Sequence, residues 1–291
     1  MNEFNFKNLG DTIHTIRVKL NVTQKELAEG ICSQSQISKI EKGEISPYID
    51  TLVKIANRLG MDPNYFINQI CKEQYEFVEH SKMKIREYTK KKEYVEVKKL
   101  IRRLEKHPSF KKLEEVQFLY WHKGVYTYYL EDDFSKAINL LMNALNLKCS
   151  FQKTKQDIQI MNSIGIMYGE EGEWEQAVLY FLEALNISKN LLYPIGFTIL
   201  IKIYYNLSKV YYNLNENMEA ILIAEKGIKL ALDNESNYLL GELLYQKGLI
   251  LLEEKAIHEG KELMDKACML FAMNGKEHYV KTVLDKLHQY T

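Results

Sequence analysis

The stretch Thr23–Gly43, TQKELAEGICSQSQISKIEKG, decides the N-terminal fold. Thr23 followed three residues later by Glu26 is a capping box, in which each side chain satisfies a backbone N–H that the first helical turn leaves open. It starts a short helix, Gln24–Ile31, with Leu27, Ala28 and Ile31 turned inward. Cys32 and Ser33 allow only a tight turn before a further helix, Gln34–Lys42, whose Ile37 and Ile40 share a face. Gly43 closes that helix and Pro47 opens the next connection. Working outward, Leu9, Ile13, Ile16 and Leu20 mark a first helix over Leu9–Leu20. Leu52, Ile55, Ala56 and Leu59 mark a fourth, and Pro63 after Asp62 starts a fifth.

These residues, continued by PYIDTLVKIANRLG at 47–60, resemble the Xre and lambda-repressor class of helix-turn-helix over about 55 positions. The turn between the second and third helices is one residue shorter than usual for that class. The resemblance implies that the third helix enters the major groove of DNA, presenting Ser33, Gln34, Ser35, Gln36 and Lys39. Gln can bond adenine through two hydrogen bonds, Lys favours guanine and Ser is permissive. Gln24, with the amides opening its helix, is then a phosphate ligand. Arg17 and Glu41 match a structural ion pair of the class.

Downstream, the chain repeats. Val97, Ala137, Ala177, Ala220 and Gly260 recur at spacings of 40, 40, 43 and 40. Seven residues after each come Leu104, Ala144, Ala184, Gly227 and Ala267. Twelve before stand Ile85, Val125, Gly165, Ser208 and Gly248, and nine before stand Tyr88, Tyr128, Tyr168, Tyr211 and Leu251. The columns resemble the tetratricopeptide repeat, whose small residues let paired helices approach closely. That implies about five helix pairs, a capping helix near the C-terminus, and a right-handed superhelix lined inside by the first helix of each pair. The tyrosine column reads as core packing. The whole chain is therefore expected to be all-α: a helix-turn-helix domain at 1–70, a repeat domain at 71–291, and a neck near 68–82.

Composition agrees. In 291 residues, 14 Gly and 4 Pro leave few breakers, and 46% apolar content makes the chain globular. Net charge is zero, yet residues 76–112 carry +7 and residues 113–291 carry −7, around a neutral head. A zero total thus excludes no partner, and a neutral head predicts weak binding of DNA by one copy. Cys32, Cys71, Cys149 and Cys268 lie in apolar helical patterns without C-x-x-C spacing and read as reduced structural thiols. The opening MNEFNFKNLGD lacks a signal-peptide layout, and the run Asn190–Ile201 is too short to cross a bilayer, so a cytoplasmic protein without membrane contact is expected. No phosphate loop, dinucleotide glycine pattern or metal-binding histidine spacing occurs, so neither catalysis nor a cofactor or metal is expected.

A helix-turn-helix head joined to such repeats resembles the RNPP family of Gram-positive quorum-sensing regulators. Chain length and the run Ile31-Cys32-Ser33-Gln34-Ser35 point to one branch of it. The resemblance implies a cytoplasmic transcription regulator whose homodimer binds a pseudo-palindromic operator in double-stranded DNA and whose repeats hold a short signalling peptide. It assigns Asn162 and Asn206 to the peptide backbone, Lys90 and Lys92 to its carboxylates, and Tyr279 to an aromatic contact. Glu242 stands where the best-matching member has Gln, which changes the ligand preference. Two other readings stay open: a DNA-binding regulator that needs no peptide, and a scaffold using the repeats for dimerisation and partner recruitment. Convergence of Asn162, Asn206, Lys90 and Lys92 on one concavity is the discriminator.

Overall fold

The computed structural model describes residues 6–147 and 150–290, except for the side chains of 70–75. Cys149 and the side chain of Cys71 lie outside the described residues, as does the start of the MNEFNFKNLGD segment. The chain forms two compact units, 1–91 and 92–291. Among the described residues the regular structure is helical throughout.

The N-terminal unit contains α1 (Phe6–Lys19), α2 (Gln24–Ala28), α3 (Gln34–Glu41), α4 (Ile49–Arg58) and α5 (Pro63–Lys90). Its core is Leu9, Ile13, Leu27, Ala28, Ile37, Ile40, Leu52, Ile55, Ala56, Leu59 and Phe66. Each buried Leu or Ile contributes about 1.5–3 kcal/mol of transfer free energy. The predicted capping box forms: the Thr23 side chain accepts from the Glu26 backbone amide, while the Glu26 side chain accepts from the Thr23 backbone amide. The second helix ends earlier than its apolar pattern suggests, at Ala28, because Gly30 takes a left-handed φ of +67°. Leu20 lies beyond the end of α1 and is exposed, while Leu9 and Ile13 are buried. Proline at the first position of α5 and the Asp62 cap start the fifth helix where expected. That helix then runs unbroken through 68–82, so the expected neck is helical and the division between units falls after Lys91.

The C-terminal unit opens with α6 (Tyr94–Leu104). Four helix pairs follow: α7 (Leu113–Glu131) with α8 (Phe134–Asn146), α9 (Lys155–Glu170) with α10 (Trp174–Lys189), α11 (Phe197–Asn213) with α12 (Asn217–Asp233), and α13 (Leu240–Glu253) with α14 (Ile257–Met273). A last helix, α15 (Glu277–Leu287), packs on α14. Of the first expected pair, the second helix is α6, while the position of the first falls at the end of α5, which belongs to the N-terminal unit. The Ala177 and Ala184 columns are fully buried at the helix crossings. Gly165 is needed at its crossing, since a Cβ there would stand 2.7 Å from the Phe181 ring. At the equivalent position the Ser208 hydroxyl donates to the Ala220 carbonyl at 2.8 Å. First helices touch successive first helices (α7 with α9, α9 with α11, α11 with α13), whereas among the described residues second helices have no comparable contacts with one another. The first helices therefore form the inner, concave layer, as the repeat pattern implies. The tyrosine column is half-buried and so is not fully part of the core. Within it the Tyr128 hydroxyl reaches along the array and donates to Glu171 of the next pair at 2.9 Å.

Candidate functional site

The first site lies on the N-terminal unit. Ser33 caps α3, and its hydroxyl accepts from the Gln36 backbone amide while the Gln36 side-chain oxygen Oε1 accepts from the Ser33 backbone amide at 3.0 Å. Gln36 therefore holds the start of the helix as well as standing on its exposed face. Gln34 donates from Nε2 to Gln24 Oε1 at 2.7 Å, and Gln24 donates onward to Glu41 at 2.8 Å. The chain of bonds ends in the buried pair Arg17–Glu41, where Nε stands 2.6 Å from Oε1, and His14 reaches the same carboxylate at 3.1 Å. Burial alone would raise the Glu41 pKa, but hydrogen bonds from Arg17, Gln24 and His14 outweigh it and hold the carboxyl below its ordinary range. The half-buried amide of Gln24 and the exposed amide of Gln34 are thus tied to a rigid charged core. Ser35 and Lys39 stay exposed on the same helix. Arg58 donates to the carbonyls of Glu26, Leu27 and Glu29, closing the C-terminal end of α2. Its distance along the chain from α2 hid this role from sequence reading.

The second site is the inner face of the repeat unit. Asn206 on α11 donates to Asn162 Oδ1 on α9 at 3.0 Å, so the two asparagines meet across neighbouring first helices. Asn162 is buried and Asn206 half-buried. Each retains amide groups that this bond does not use. Further along, Glu242 on α13 is buried and lies 2.5 Å from Lys276 Nζ. Lys276 stands 5.7 Å from the ring centres of both Phe271 and Tyr279, which stack on each other at 5.0 Å. Glu242 and Tyr279 are therefore joined through a lysine that the sequence pattern did not single out. Tyr205 completes the group; burial, followed by the charge of Glu242, pushes its pKa up to about 12. Lys90 ends α5 in the N-terminal unit, and Lys92 opens the C-terminal unit in a left-handed turn, both exposed. Among the described residues, Cys32 and Cys268 are half-buried free thiols, and no cluster of His, Cys, Asp and Glu could hold a metal. No helix among them is long and apolar enough to cross a membrane.

Comparison with known proteins covers both sites. Residues 82–291 match the model of the RNPP family C-terminal domain, and residues 13–66 match a helix-turn-helix model. The chain is similar to Bacillus thuringiensis PlcR in complex with the peptide PapR7 and DNA. Identity is 28% and the TM-score 0.79, over 95% of this chain and 99% of that one. For the apo form of PlcR the values are 26% and 0.71, over 97% and 99%. PlcR is the member to which chain length and the Ile31–Ser35 run point. ComR from Streptococcus thermophilus, in complex with DNA and its signalling peptide ComS, shares the fold at 17% identity and a TM-score of 0.56, over 97% and 99%. No curated protein matches the chain.

Proposed function

The chain belongs to the RNPP family, and from that premise we propose that it is a cytoplasmic transcription regulator controlled by a short signalling peptide. The N-terminal unit binds double-stranded DNA, and a homodimer places two such units on a pseudo-palindromic operator. The observation that carries this reading is the similarity to a PlcR structure holding both a peptide and DNA, which extends over 95% of the chain. In the proposed mode, Gln34, Ser35 and Lys39 meet base edges, while Gln24 and the capped start of α3 at Ser33 and Gln36 meet the backbone. The Gln34–Gln24–Glu41 chain of bonds supports it, because side chains already fixed lose less entropy on binding.

The peptide lies along the inner face of the repeats, with Asn162 and Asn206 on its backbone. Lys90 and Lys92 meet its carboxylates, and Glu242 and Tyr279 set side-chain preference. Peptide shifts the operator-binding population only by as much as it binds that arrangement better than the others. The array carries no catalytic role in this reading. The test is selection of duplexes from a random pool by the full-length protein, followed by mobility shift with and without synthetic peptides. Expected is enrichment of a two-fold symmetric site, with affinity for it changed by at least one peptide. No enriched site removes the DNA function; an affinity unchanged by every peptide removes the control.

A further inference from the structure

The N-terminal unit carries a groove of about 480 Å³ that none of the residues assigned to DNA lines. One wall is α1, through Asp11, Thr12, Thr15, Ile16 and Lys19, and the other is α5, through Tyr65 and Gln69. The α1 residues recur three and four positions apart and so form one stripe, turned away from the buried Leu9 and Ile13. Several features suit this groove to a protein contact. The Thr12 hydroxyl donates to the Asn8 carbonyl and the Thr15 hydroxyl to the Asp11 carbonyl, both at 2.7 Å, so neither needs water. Gln69 is only 9% exposed, yet among the described residues it makes no hydrogen bond. Ile16 is half-buried, while Tyr65 and Val18, seven residues after Asp11 on the same stripe, are exposed.

Charge identifies the partner. Along α1 the stripe is antisymmetric about Thr15, with Asp11 four residues before it and Lys19 four after. The two lie about 12 Å apart along the helix axis, too far to pair with each other. Among the described residues neither has another ion-pair partner. A stripe that is acidic at one end, basic at the other and uncharged at its centre is complementary to itself reversed. A two-fold axis through Thr15 lays α1 antiparallel on α1 of a second copy and sets each Asp11 against the other's Lys19. The ridge of each α1 then enters the other's groove, so that two α1 and two α5 helices cluster around Ile16, Val18 and Tyr65. That packing also brings new neighbours to Gln69. Glu76 adds a further acid to the α5 wall, and together with Asp11 it disfavours a nucleic acid in the groove.

We propose that the α1–α5 groove is a two-fold contact between the N-terminal units of two copies of this chain, with Thr15 at the axis and Asp11 paired to Lys19 on either side of it. The proposal rests on the homodimer reading and deepens it by naming the surface through which the two heads meet. A contact of this kind fixes the separation of the two α3 helices, and hence the spacing of the half-sites they can occupy.

The test uses the full-length protein, with its mass in solution read by light scattering and the folding of each variant by thermal melting. A residue on a two-fold axis meets its own counterpart, so Thr15→Cys should form a disulfide-linked dimer under mild oxidation, at a Cα separation of about 4.4–6.8 Å. Wild type sets the background from the native cysteines. Lys54→Cys, exposed on α4 outside the groove, should cross-link several-fold less. Charge exchange then checks the pairing. In the Thr15→Cys background, Asp11→Lys and Lys19→Glu are placed on separately tagged copies. Like copies oppose like charges, whereas a mixed pair restores both attractions, so mixed cross-linked dimers should exceed like ones roughly fivefold. A dimeric protein in which Thr15→Cys cross-links no better than Lys54→Cys, or in which the tagged copies mix at random, overturns this contact and leaves the homodimer reading standing. A monomeric protein overturns both.

Discussion

At the residue scale, the N-terminal unit depends on one buried charge pair that also steadies Gln24 and, through it, the exposed Gln34. Removing one partner of a buried pair leaves the other charge desolvated, at a cost of about 3–5 kcal/mol. Arg17→Met should therefore strip hydrogen-exchange protection from the amides of Leu27 and Ile37, while protection in the repeat unit persists. The pH dependence follows from the direction of the Glu41 shift. Its folded pKa lies below the ordinary 4.5. The stability it contributes is thus complete above the unfolded value and declines as pH falls through the folded one. In Arg17→Met that acid-side decline should flatten, and exchange measured from pH 6 downward checks it. Both members of the pair could be read from the sequence by resemblance. The relay from Gln34 through Gln24 to Glu41 could not, because an amide's partners depend on rotamers that spacing does not encode.

Among elements, termination matters more than helix propensity. The apolar pattern carries α2 to Ile31, yet the helix stops at Ala28. Gly30 and Gly43 both adopt left-handed φ, at +67° and +69°. A Cβ on Gly30 meets nothing within 4 Å, whereas one on Gly43 would stand 2.8 Å from the Lys7 backbone. Gly30→Ala should therefore cost about 1 kcal/mol of conformational strain, and Gly43→Ala more, through displacement of α1 from the end of α3. Thermal melting of the two variants side by side checks the order; equal losses would contradict it. The small-residue columns of the repeats were legible for a related reason. A helix crossing as close as Gly165 on Phe181 excludes larger side chains, and so leaves its trace in composition.

Over the whole molecule, charge is arranged in a neutral head, a basic stretch and an acidic remainder. A neutral head attracts phosphates weakly, so under the proposed function two heads acting together supply the affinity. A duplex carrying one half-site of the selected operator should bind at least a hundredfold more weakly than one carrying both, as read by fluorescence anisotropy. Equal affinities would remove the need for a dimer.

The sequence by itself determined the helical class, the two kinds of unit, the capping box that opens α2, the glycine that closes α3 and the repeat register. Each of these follows from interactions within a few residues or from a period that local geometry imposes. Only the tertiary structure decided which polar groups meet on the inner face. Asn206 finds Asn162 44 residues away, and Lys276 finds Glu242 34 residues away. Such pairings depend on how successive helix pairs are offset in space, and that offset is set by side-chain packing across pairs.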